Sequence, residues 1–308
     1  MTTAFITHAD CGKHDMGAHH PECPARLGAI EDQMIASGVG QHLWRYEAPL
    51  ASDDQITRVH PPEYVRAIRE AAPERGTVHL DPDTAMNPHS LNAALHAVGA
   101  GILATDLVMK GEVENAFCSV RPPGHHATRT RSMGFCIFNN IAIAARHAID
   151  VHGLQRVAII DFDVHHGNGT EDIFSGDARV LMASTFQHPF YPYSGTEPVA
   201  DNMVNIPLDA GSGSKTFREA VTRFWLPALE TFEPQMVFFS AGFDAHAEDD
   251  MAMLAFQDAD YAWVTEQVKD VTDRTTNGRI VSMLEGGYDL SALGRSAVQH
   301  VRVLAGLN

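Results

Sequence analysis

The 308-residue chain has few cysteines, and none of them forms a recognisable motif. Its four cysteines, Cys11, Cys23, Cys118 and Cys136, include no C-x-x-C pair. This spacing is not that of a thiolate zinc site or a redox motif, and four cysteines in a chain of this length do not indicate a disulfide scaffold. We therefore expect reduced thiols, most of them buried.

Basic residues are also scarce, since 22 Lys and Arg stand against 39 Asp and Glu, for a formal net charge of −17. This balance disfavours direct binding of nucleic acid, which needs Lys and Arg to displace counterions, and it favours cationic partners. No apolar run reaches the roughly 18 to 20 residues of a membrane span, and Met1–Asp10 lacks the pattern of a signal peptide. We expect a cytoplasmic protein with no membrane partner, for which an oligomer is possible.

The composition is otherwise that of an ordinary globular protein. Apolar residues make up 44% of the chain and charged residues 20%, far from the composition of disordered segments. No linker, low-complexity stretch or repeat of fixed period divides the sequence. We therefore expect one α/β domain over residues 1–308.

From about residue 90 onward, helical and strand-like apolar patterns alternate, which predicts a parallel sheet covered by helices. Ser90 is placed to cap the first of these helices. The predicted strands are residues 115–120, 156–162, 179–185, 236–240 and 279–284, and the predicted helices are 91–109, 138–151, 215–232, 258–272 and 291–304. In the less regular first 90 residues, we expect a strand at 4–7 and helices at 24–37 and 61–71.

Reactive side chains follow the ends of five predicted strands. Because the carboxyl ends of parallel strands meet at one edge of a sheet, where ligands bind in such folds, we expect these segments to line one crevice. The segments are Arg121–His126, Asp161–Gly169, Ser184, Asp244 and Glu285–Tyr288. Their convergence carries more weight than any single motif.

Asp163 and His165 are two residues apart at the end of a predicted strand, so their side chains point to the same side of the backbone. Asp244 is the candidate third ligand of a metal ion at this edge. Two carboxylates and one imidazole suit Zn²⁺, Fe²⁺ or Mn²⁺, and three protein ligands leave a position for water or substrate. The pattern predicts a metal site of the catalytic type.

A tandem pair of histidines, His125 and His126, follows the rigid sequence Pro-Pro-Gly, which can hold two imidazoles in different orientations. Near a metal site, such a pair can supply a general base and an electrostatic partner. Asp161 is placed to accept a hydrogen bond from an imidazole. Tyr288 follows two glycines in a turn and is placed to donate to a developing oxyanion.

Five motifs follow one another along the chain: R-P-P-G-H-H (121–126), G-F-C-I-F-N-N (134–140), D-F-D-V-H-H-G-N-G-T (161–170), A-G-F-D-A-H (241–246) and E-G-G-Y (285–288). In this order and spacing they resemble the zinc-dependent histone deacetylase superfamily. The segment H-P-E-C-P-A-R-L (20–27) resembles the N-terminal loop of that family. The resemblance implies an arginase/deacetylase-like fold, a single three-layer α/β/α domain around a mainly parallel eight-stranded sheet.

The resemblance also implies roles for individual residues. The implied ligands of one catalytic zinc ion, or of Fe²⁺ in the cell, are Asp163, His165 and Asp244. By the same resemblance, His126 is the general base and acid, and His125 is an electrostatic partner held by Asp161. Tyr288 becomes the donor that polarises the substrate carbonyl. Asn168 is the expected partner of His126, and because one branch of the family has Asp there, the chain resembles the class II and bacterial branch.

The likeness further implies a narrow tunnel for the acylated side chain. Phe135 resembles one of its walls, with Gly134 near the substrate amide. The facing wall is expected from the aromatic residues of the segment H-P-F-Y-P-Y, where the choice between Phe190 and Tyr191 stays open. Met251 stands where some polyamine-specific relatives have a Glu, which argues mildly against that specificity.

A structural alkali ion, usually potassium, is a further implication of the resemblance. Its implied ligands are the side chains of Asp161, Asp163 and Ser184, together with carbonyl groups that include that of His165.

The sequence therefore predicts a zinc-dependent deacetylase that hydrolyses N-acetyl amines, with acetyl-lysine side chains of proteins or peptides as the first substrate class. The alternative is an acetylpolyamine or small acetyl-amine amidohydrolase that uses the same residues. A ureohydrolase on the related arginase fold needs a second metal and additional Asp ligands, which the motifs lack. A non-catalytic reader of acyl-lysine is disfavoured because His125, His126 and Tyr288 are all present.

Overall fold

The protein is organised around a parallel β-sheet, which a computed structural model describes over residues 1–197, 200–276 and 278–307. Within these residues, eight of ten strands form this central sheet, and the other two form a small antiparallel hairpin, β3–β4. The strands are β1 (Thr3–Thr7), β2 (Leu43–Glu47), β3 (Val78–His79), β4 (Ala85–Met86), β5 (Asn115–Cys118), β6 (Val157–Asp161), β7 (Val180–Gln187), β8 (Met203–Leu208), β9 (Met236–Ala241) and β10 (Ile280–Leu284). This confirms the expected fold class.

The strand order is β2-β1-β5-β10-β9-β6-β7-β8, and every described pairing in this sheet is parallel. The six strands that the apolar pattern predicts form the middle of the sheet. The pattern did not predict β2 and β8, which are the two edge strands. Both are only partly buried and carry polar residues, so neither has the continuous apolar run of a central strand.

Helices connect the strands and cover both faces of the sheet. They are α1 (Ala25–Ala36), α2 (Asp53–Ile56), α3 (Pro62–Ala71), α4 (Ser90–Met109), α5 (Asn140–Asp150), α6 (Asn168–Phe174), α7 (Ser214–Ala220), α8 (Leu226–Phe232), α9 (Asp258–Thr275) and α10 (Leu290–Leu304). Of these, α2 and α6 are short helices that the sequence pattern did not predict.

Two apolar cores lie on opposite faces of the sheet because successive strand residues point to opposite sides. In β6, Val157 and Ile159 belong to the core under α4 and α5, whereas Ala158 and Ile160 belong to the core under α1, α9 and α10. β6 is buried along its whole length. The alternation leaves the carboxyl ends of the strands free to carry polar side chains.

α4 is the central helix of the first core. By length and composition alone α4 could span a membrane, although the sequence has no long apolar run that indicates such a helix. However, 78% of its most apolar window is buried in the protein. The predicted cap was wrong, since Ser90 is the first residue of α4 and His89 precedes it without a side-chain cap. The Ser90 hydroxyl instead donates to Asn87 and contacts the Nδ1 atom of His14.

The helix predicted over 215–232 is not continuous. A π-helical turn at Val221–Trp225 separates α7 from α8. Pro227 lies in the first turn of α8 and has no N–H to donate, so a regular α-helical ladder cannot run through it.

The four cysteines are free, as expected, and all except the partly exposed Cys23 are buried.

Candidate active site and metal centre

The segments predicted to converge do meet at the carboxyl edge of the sheet. The backbone N–H of Val164, after β6, donates to Asp244 Oδ1 after β9 over 2.9 Å. The N–H of Gly286, after β10, donates to Asp163 Oδ2 over 2.8 Å. Ser184 differs, because it lies within β7, three residues before the end of that strand.

Asp163, His165 and Asp244 form a buried group that we call the crevice cluster. Their ligand atoms all lie within 4.8 Å of one another. The Nδ1 atom of His165 is 3.1 Å from Asp163 Oδ1 and 3.2 Å from Asp244 Oδ2. Burial and the neighbouring charge of Asp163 raise the pKa of Asp244 to about 6, because two adjacent buried carboxylates disfavour each other's charged form.

The crevice cluster fits a divalent cation. Asp244 Oδ2 is buried and forms no hydrogen bond with any described residue, although His165 Nδ1 is near. Two glycines leave room beside the carboxylates: a Cβ atom on Gly286 would lie 2.0 Å from Asp244 Oδ2, and one on Gly242 would lie 2.0 Å from Asp163 Oδ2. Two carboxylates and one imidazole are a donor set suited to zinc or Fe²⁺.

The tandem histidines lie beside this cluster, with ring centroids 4.0 Å apart. The Nδ1 atom of His125 is 2.9 Å from Asp161 Oδ2, and the Nδ1 atom of His126 is 2.7 Å from Asn168 Oδ1. Both expected pairings are therefore present. Because an amide oxygen only accepts, His126 donates from Nδ1, which leaves its Nε2 atom unprotonated in the neutral ring.

The two imidazoles differ in protonation. Burial, and then the charge of His125, lower the pKa of His126 well below its ordinary value. Burial also disfavours the charged form of His125, but the carboxylates of Asp163 and Asp161 outweigh it and raise that pKa well above its ordinary value. The pair thus has one neutral ring, able to accept a proton, and one cationic ring.

Glu285 fixes the loop that carries this pair, a role the sequence analysis did not assign. Its Oε2 atom accepts from the backbone N–H of Gly124 over 2.7 Å and of His125 over 3.1 Å. Its Oε1 atom accepts from the Ser240 hydroxyl in β9 over 3.1 Å. The carboxylate, which follows β10, therefore ties the loop after β5 to β9, two strands away in the sheet.

Tyr288 lies on a clamped turn. Arg26 donates to the carbonyl oxygens of Glu285 and Gly287, over 2.6 Å each, and its guanidinium lies 4.9 Å from the centre of the Tyr288 ring. The backbone N–H of Tyr288 donates to Asp249 Oδ2 over 2.6 Å. Burial and then the charge of Asp244 raise the pKa of the phenol well above its ordinary value, so it stays protonated and can donate.

A pocket of about 210 Å³ joins these groups. Its lining residues are Asp83, His126, Gly134, Phe135, His165, Phe190, Tyr191, Met251 and Tyr288. The five residues expected along the tunnel all lie there, including both candidates for its second wall, Phe190 and Tyr191. Phe190 stacks on His165, with 5.7 Å between ring centroids, whereas Tyr191 meets His126 edge-on at 5.3 Å.

Asp83 is a pocket residue that the sequence analysis missed. It precedes β4, and its Oδ1 atom accepts from the backbone N–H of Gly134 over 3.0 Å and from the Thr84 hydroxyl over 2.8 Å. Gly134 has no room for a side chain, because a Cβ atom there would lie 2.3 Å from His126 Cδ2. The carboxylate of Asp83 thus lies in the pocket wall, close to the catalytic candidates.

The residues of the expected potassium site are neighbours in the sheet. Asp161 and Ser184 are paired positions of β6 and β7, so their side chains lie on the same face. Asp161 Oδ1 accepts from the Asp163 N–H over 3.1 Å, and the Ser184 hydroxyl donates to Asn205 Oδ1 over 3.0 Å.

Comparisons with known proteins agree with this geometry. The sequence model of the histone deacetylase domain matches residues 20–304. A histone deacetylase-like amidohydrolase of Pseudomonas aeruginosa is 38% identical over 278 residues, covering 88% of this chain and 73% of its own. A probable deacetylase of Archaeoglobus fulgidus is 35% identical over 317 residues, covering 100% of this chain and 88% of its own.

Two further comparisons concern a relative whose name states its substrate class and a different protein whose structure is solved. The human polyamine deacetylase HDAC10 is 34% identical over 328 residues, which cover 99% of this chain and 48% of that protein. The crystal structure of the HDA15 HD domain is 33% identical, covers 99% of this chain and 90% of its own, and superposes with a TM-score of 0.93. The chain therefore belongs to the histone deacetylase family, whose members are hydrolases of the deacetylase type.

Proposed function

We propose that this protein is a zinc-dependent deacetylase of N-acetyl and related N-acyl amines, with acetyl-lysine side chains of proteins or peptides as its substrate class. The observation that carries the proposal is the pocket itself, because one narrow cavity is lined by the ligand His165, the neutral imidazole of His126 and the phenol of Tyr288. Amide hydrolysis of this type requires metal ligands, a general base and an oxyanion donor, and a candidate for each lines the same cavity.

Asp163, His165 and Asp244 would hold the zinc ion, and Fe²⁺ is the alternative that the same donor set accepts in the cell. When bound, the ion supplies Lewis acidity that polarises the acyl oxygen and lowers the pKa of a water molecule. The chain supplies the remaining steps.

His126 is the proposed general base and acid. Its Nδ1–H bond to Asn168 leaves Nε2 free to take a proton from water, and its lowered pKa keeps it neutral beforehand. It then returns that proton to the leaving amine. His125, held by Asp161, remains cationic and stabilises the negative charge that develops nearby.

Tyr288 is the proposed oxyanion donor. Its raised pKa keeps the proton on the phenol, and the clamp made by Arg26 and Asp249 fixes the turn that carries it. A fixed donor of this kind stabilises the tetrahedral state without reorganisation.

The proposed substrate path runs between Phe135 and Phe190, which line the same pocket as His126 and Tyr288. Flat aromatic walls accept the linear methylene chain of an acylated lysine. Gly134 lets the chain pass close to His126 because a side chain there would overlap the imidazole.

An acetylated polyamine is the second candidate substrate. The carboxylate of Asp83 in the pocket wall favours a cationic chain, and the identity with HDAC10 points the same way. Met251 argues against it, because a thioether in the wall does not pair with an ammonium group.

A rate comparison on zinc-loaded enzyme tests the proposal. The substrates are acetylated and longer-acyl lysine peptides, acetylputrescine, acetylspermidine and a small acetyl amide. We expect the highest kcat/KM for an acetyl-lysine peptide. Highest kcat/KM for an acetylpolyamine would overturn the substrate class, and no turnover of any acetylated amine by enzyme with zinc bound at Asp163, His165 and Asp244 would overturn the activity.

Substitution of Met251 refines this test. Met251→Glu is expected to shift the preference towards acetylpolyamines by placing a second carboxylate in the wall. Met253→Glu is the matched control, because Met253 is 57% exposed and does not line the pocket. An equal shift in both variants would show that bulk charge, and not the pocket, sets the preference.

Three expectations from the sequence also remain proposals. We propose that Asp161 and Ser184 help to bind a structural potassium ion, which predicts a higher Tm in potassium than in tetramethylammonium buffer.

A one-domain organisation and a cytoplasmic location without direct nucleic-acid contact rest on composition and pattern alone. An oligomer is compatible with all of these proposals.

A further inference from the structure

A second group of metal-capable side chains lies at the opposite edge of the sheet from the crevice. Asp106 is near the end of α4, His147 is in the last turns of α5, and His152 is in the turn that leads from α5 to β6. We call this group the amino-edge cluster. It is separate from the crevice cluster in sequence and in place, and the proposed deacetylase reaction does not use it.

The three side chains converge on one point. The Nε2 atom of His147 is 2.8 Å from Asp106 Oδ1, and the Nε2 atom of His152 is 2.7 Å from the same oxygen. The two imidazole rings are nearly perpendicular, with centroids 5.4 Å apart. Burial raises the pKa of Asp106, but the hydrogen bonds from His147 and His152 outweigh it and lower that pKa, so the carboxylate is ionised.

We propose that the amino-edge cluster binds a divalent transition-metal ion of the zinc class, with Asp106, His147 and His152 as its protein ligands. Two imidazoles and a carboxylate are a donor set that zinc accepts in tetrahedral geometry, with water in the fourth position. Because the side chains of Asp106 and His152 are 30% and 18% exposed, solvent reaches that position.

The geometry needs only a small adjustment to hold the ion. Ligand atoms of a tetrahedral zinc site lie about 3.3 Å apart, so the two contacts to Asp106 must open by about 0.5 Å. Rotation of the partly exposed Asp106 carboxylate supplies this movement.

Another group of metal-capable side chains in the chain differs from the amino-edge cluster in the partners of its carboxylate. His8, Asp10 and His96 also lie within metal-binding distance of one another. There, the ammonium of Lys13 lies 2.6 Å from Asp10 Oδ1 and already neutralises the carboxylate, and His8 Nδ1 accepts from the Asp10 N–H. In the amino-edge cluster, by contrast, both nitrogens that face the carboxylate are imidazole Nε2 atoms able to bind a metal.

The fold gives such a site a mechanical consequence. α4 and α5 pack against each other in the first core, and the turn that carries His152 leads directly into β6, the strand before the crevice ligands. An ion bound by all three residues joins the ends of two helices to this turn. Binding to the folded state alone then stabilises the protein by mass action.

The number of metal ions that the metal-free protein takes up tests the proposal. Zn²⁺ is titrated into metal-free protein against a chromophoric competitor, and Co²⁺ absorption is measured as a second probe. We expect two ions per wild-type chain and one in His152→Gln, whose partly exposed position in a turn makes misfolding a minor concern. His8→Gln is the matched control and should retain two ions.

A variant without the crevice cluster separates this site from the proposed active site. Asp163→Asn/Asp244→Asn is expected to keep one ion and a zinc-dependent rise in Tm, and adding His152→Gln should remove both. No ion in Asp163→Asn/Asp244→Asn, or two ions in His152→Gln, would overturn the proposal. Failure of the crevice cluster to bind zinc would instead leave one ion per wild-type chain, which His152→Gln removes, so the two proposals fail independently.

Discussion

The crevice cluster and the amino-edge cluster use the same residue types but are built differently. In the crevice, backbone N–H groups from neighbouring loops donate to both carboxylates, and glycines leave the space between them. In the amino-edge cluster, side chains on helix ends hold one another, with the carboxylate partly exposed.

The two constructions suit different purposes, one the positioning of a substrate and the other the stabilisation of the fold. Backbone donors fix a buried ligand before any ion or substrate arrives, and such preorganisation is what lowers an activation barrier. A cluster of side chains at a solvent-exposed edge can adjust around an ion, but it positions no substrate. Changes in the crevice should therefore act on turnover, and changes at the amino edge on stability.

The largest expected effect is that of Gly286→Ala. Its Cβ atom would lie 2.0 Å from Asp244 Oδ2 and 2.6 Å from Asp163 Oδ2, so both carboxylates must move. We expect the zinc of the crevice cluster and the activity to be lost together, as measured by metal analysis and turnover. Full activity with a retained crevice ion would show that the glycine does not shape the site.

His126→Ala should lower kcat by about 10²–10⁴-fold because it removes the proposed general base while the side chains of the crevice cluster remain. Metal content should be unchanged. His42→Ala, at an exposed histidine outside the pocket, is the control and should match the wild type. A loss of less than tenfold in His126→Ala would assign proton transfer to another group.

Tyr288→Phe should lower kcat by about 10²–10³-fold, the usual effect of removing one oxyanion donor. The ring and its contact with Arg26 remain, so zinc content and Tm should not change. Tyr193→Phe, at a tyrosine that is 75% exposed, provides the comparison. Unchanged turnover in Tyr288→Phe would contradict the assigned role.

The sequence indicated where the segments of the crevice meet because its signals are local. A strand apolar on both faces followed by D-x-D-x-H places Asp163 and His165 at the end of β6 without tertiary information, and the middle of the sheet was found in the same way. The edge strands were missed because sheet edges are half exposed, so β2 and β8 lack the apolar runs of central strands.

Residues that act through distant partners could not be predicted. Glu285 holds backbone groups about 160 positions away, and Arg26 clamps carbonyl groups about 260 positions away. Asp83 reaches the pocket only through the fold, and nothing in its neighbouring sequence indicates this contact. Such hydrogen bonds to backbone atoms leave no pattern in a single sequence.

Asn168→Ala should lower kcat by about 10–100-fold, since loss of a hydrogen-bond partner misorients His126 without removing it. Asn168→Asp keeps an acceptor for the Nδ1–H and should restore most of the activity. The pH profile distinguishes positioning from simple unfolding, because a carboxylate at this position should shift the acidic limb while Tm stays constant. An identical profile and rate in all three proteins would exclude the positioning role.

The smallest effect is expected near the amino-edge cluster. Gly153 follows His152 and has a φ of +72°. A Cβ atom added there would have no neighbouring atom within 4 Å, so the only cost of Gly153→Ala is backbone strain. We expect the free energy of unfolding to fall by about 1 kcal/mol, with unchanged turnover. Gly12 is equally open but has no positive φ, so Gly12→Ala should lower the free energy of unfolding by less, as measured by denaturant titration. A loss of turnover in Gly153→Ala would mean that the two edges of the sheet are coupled, and that strain at the start of β6 reaches the ligands at its end.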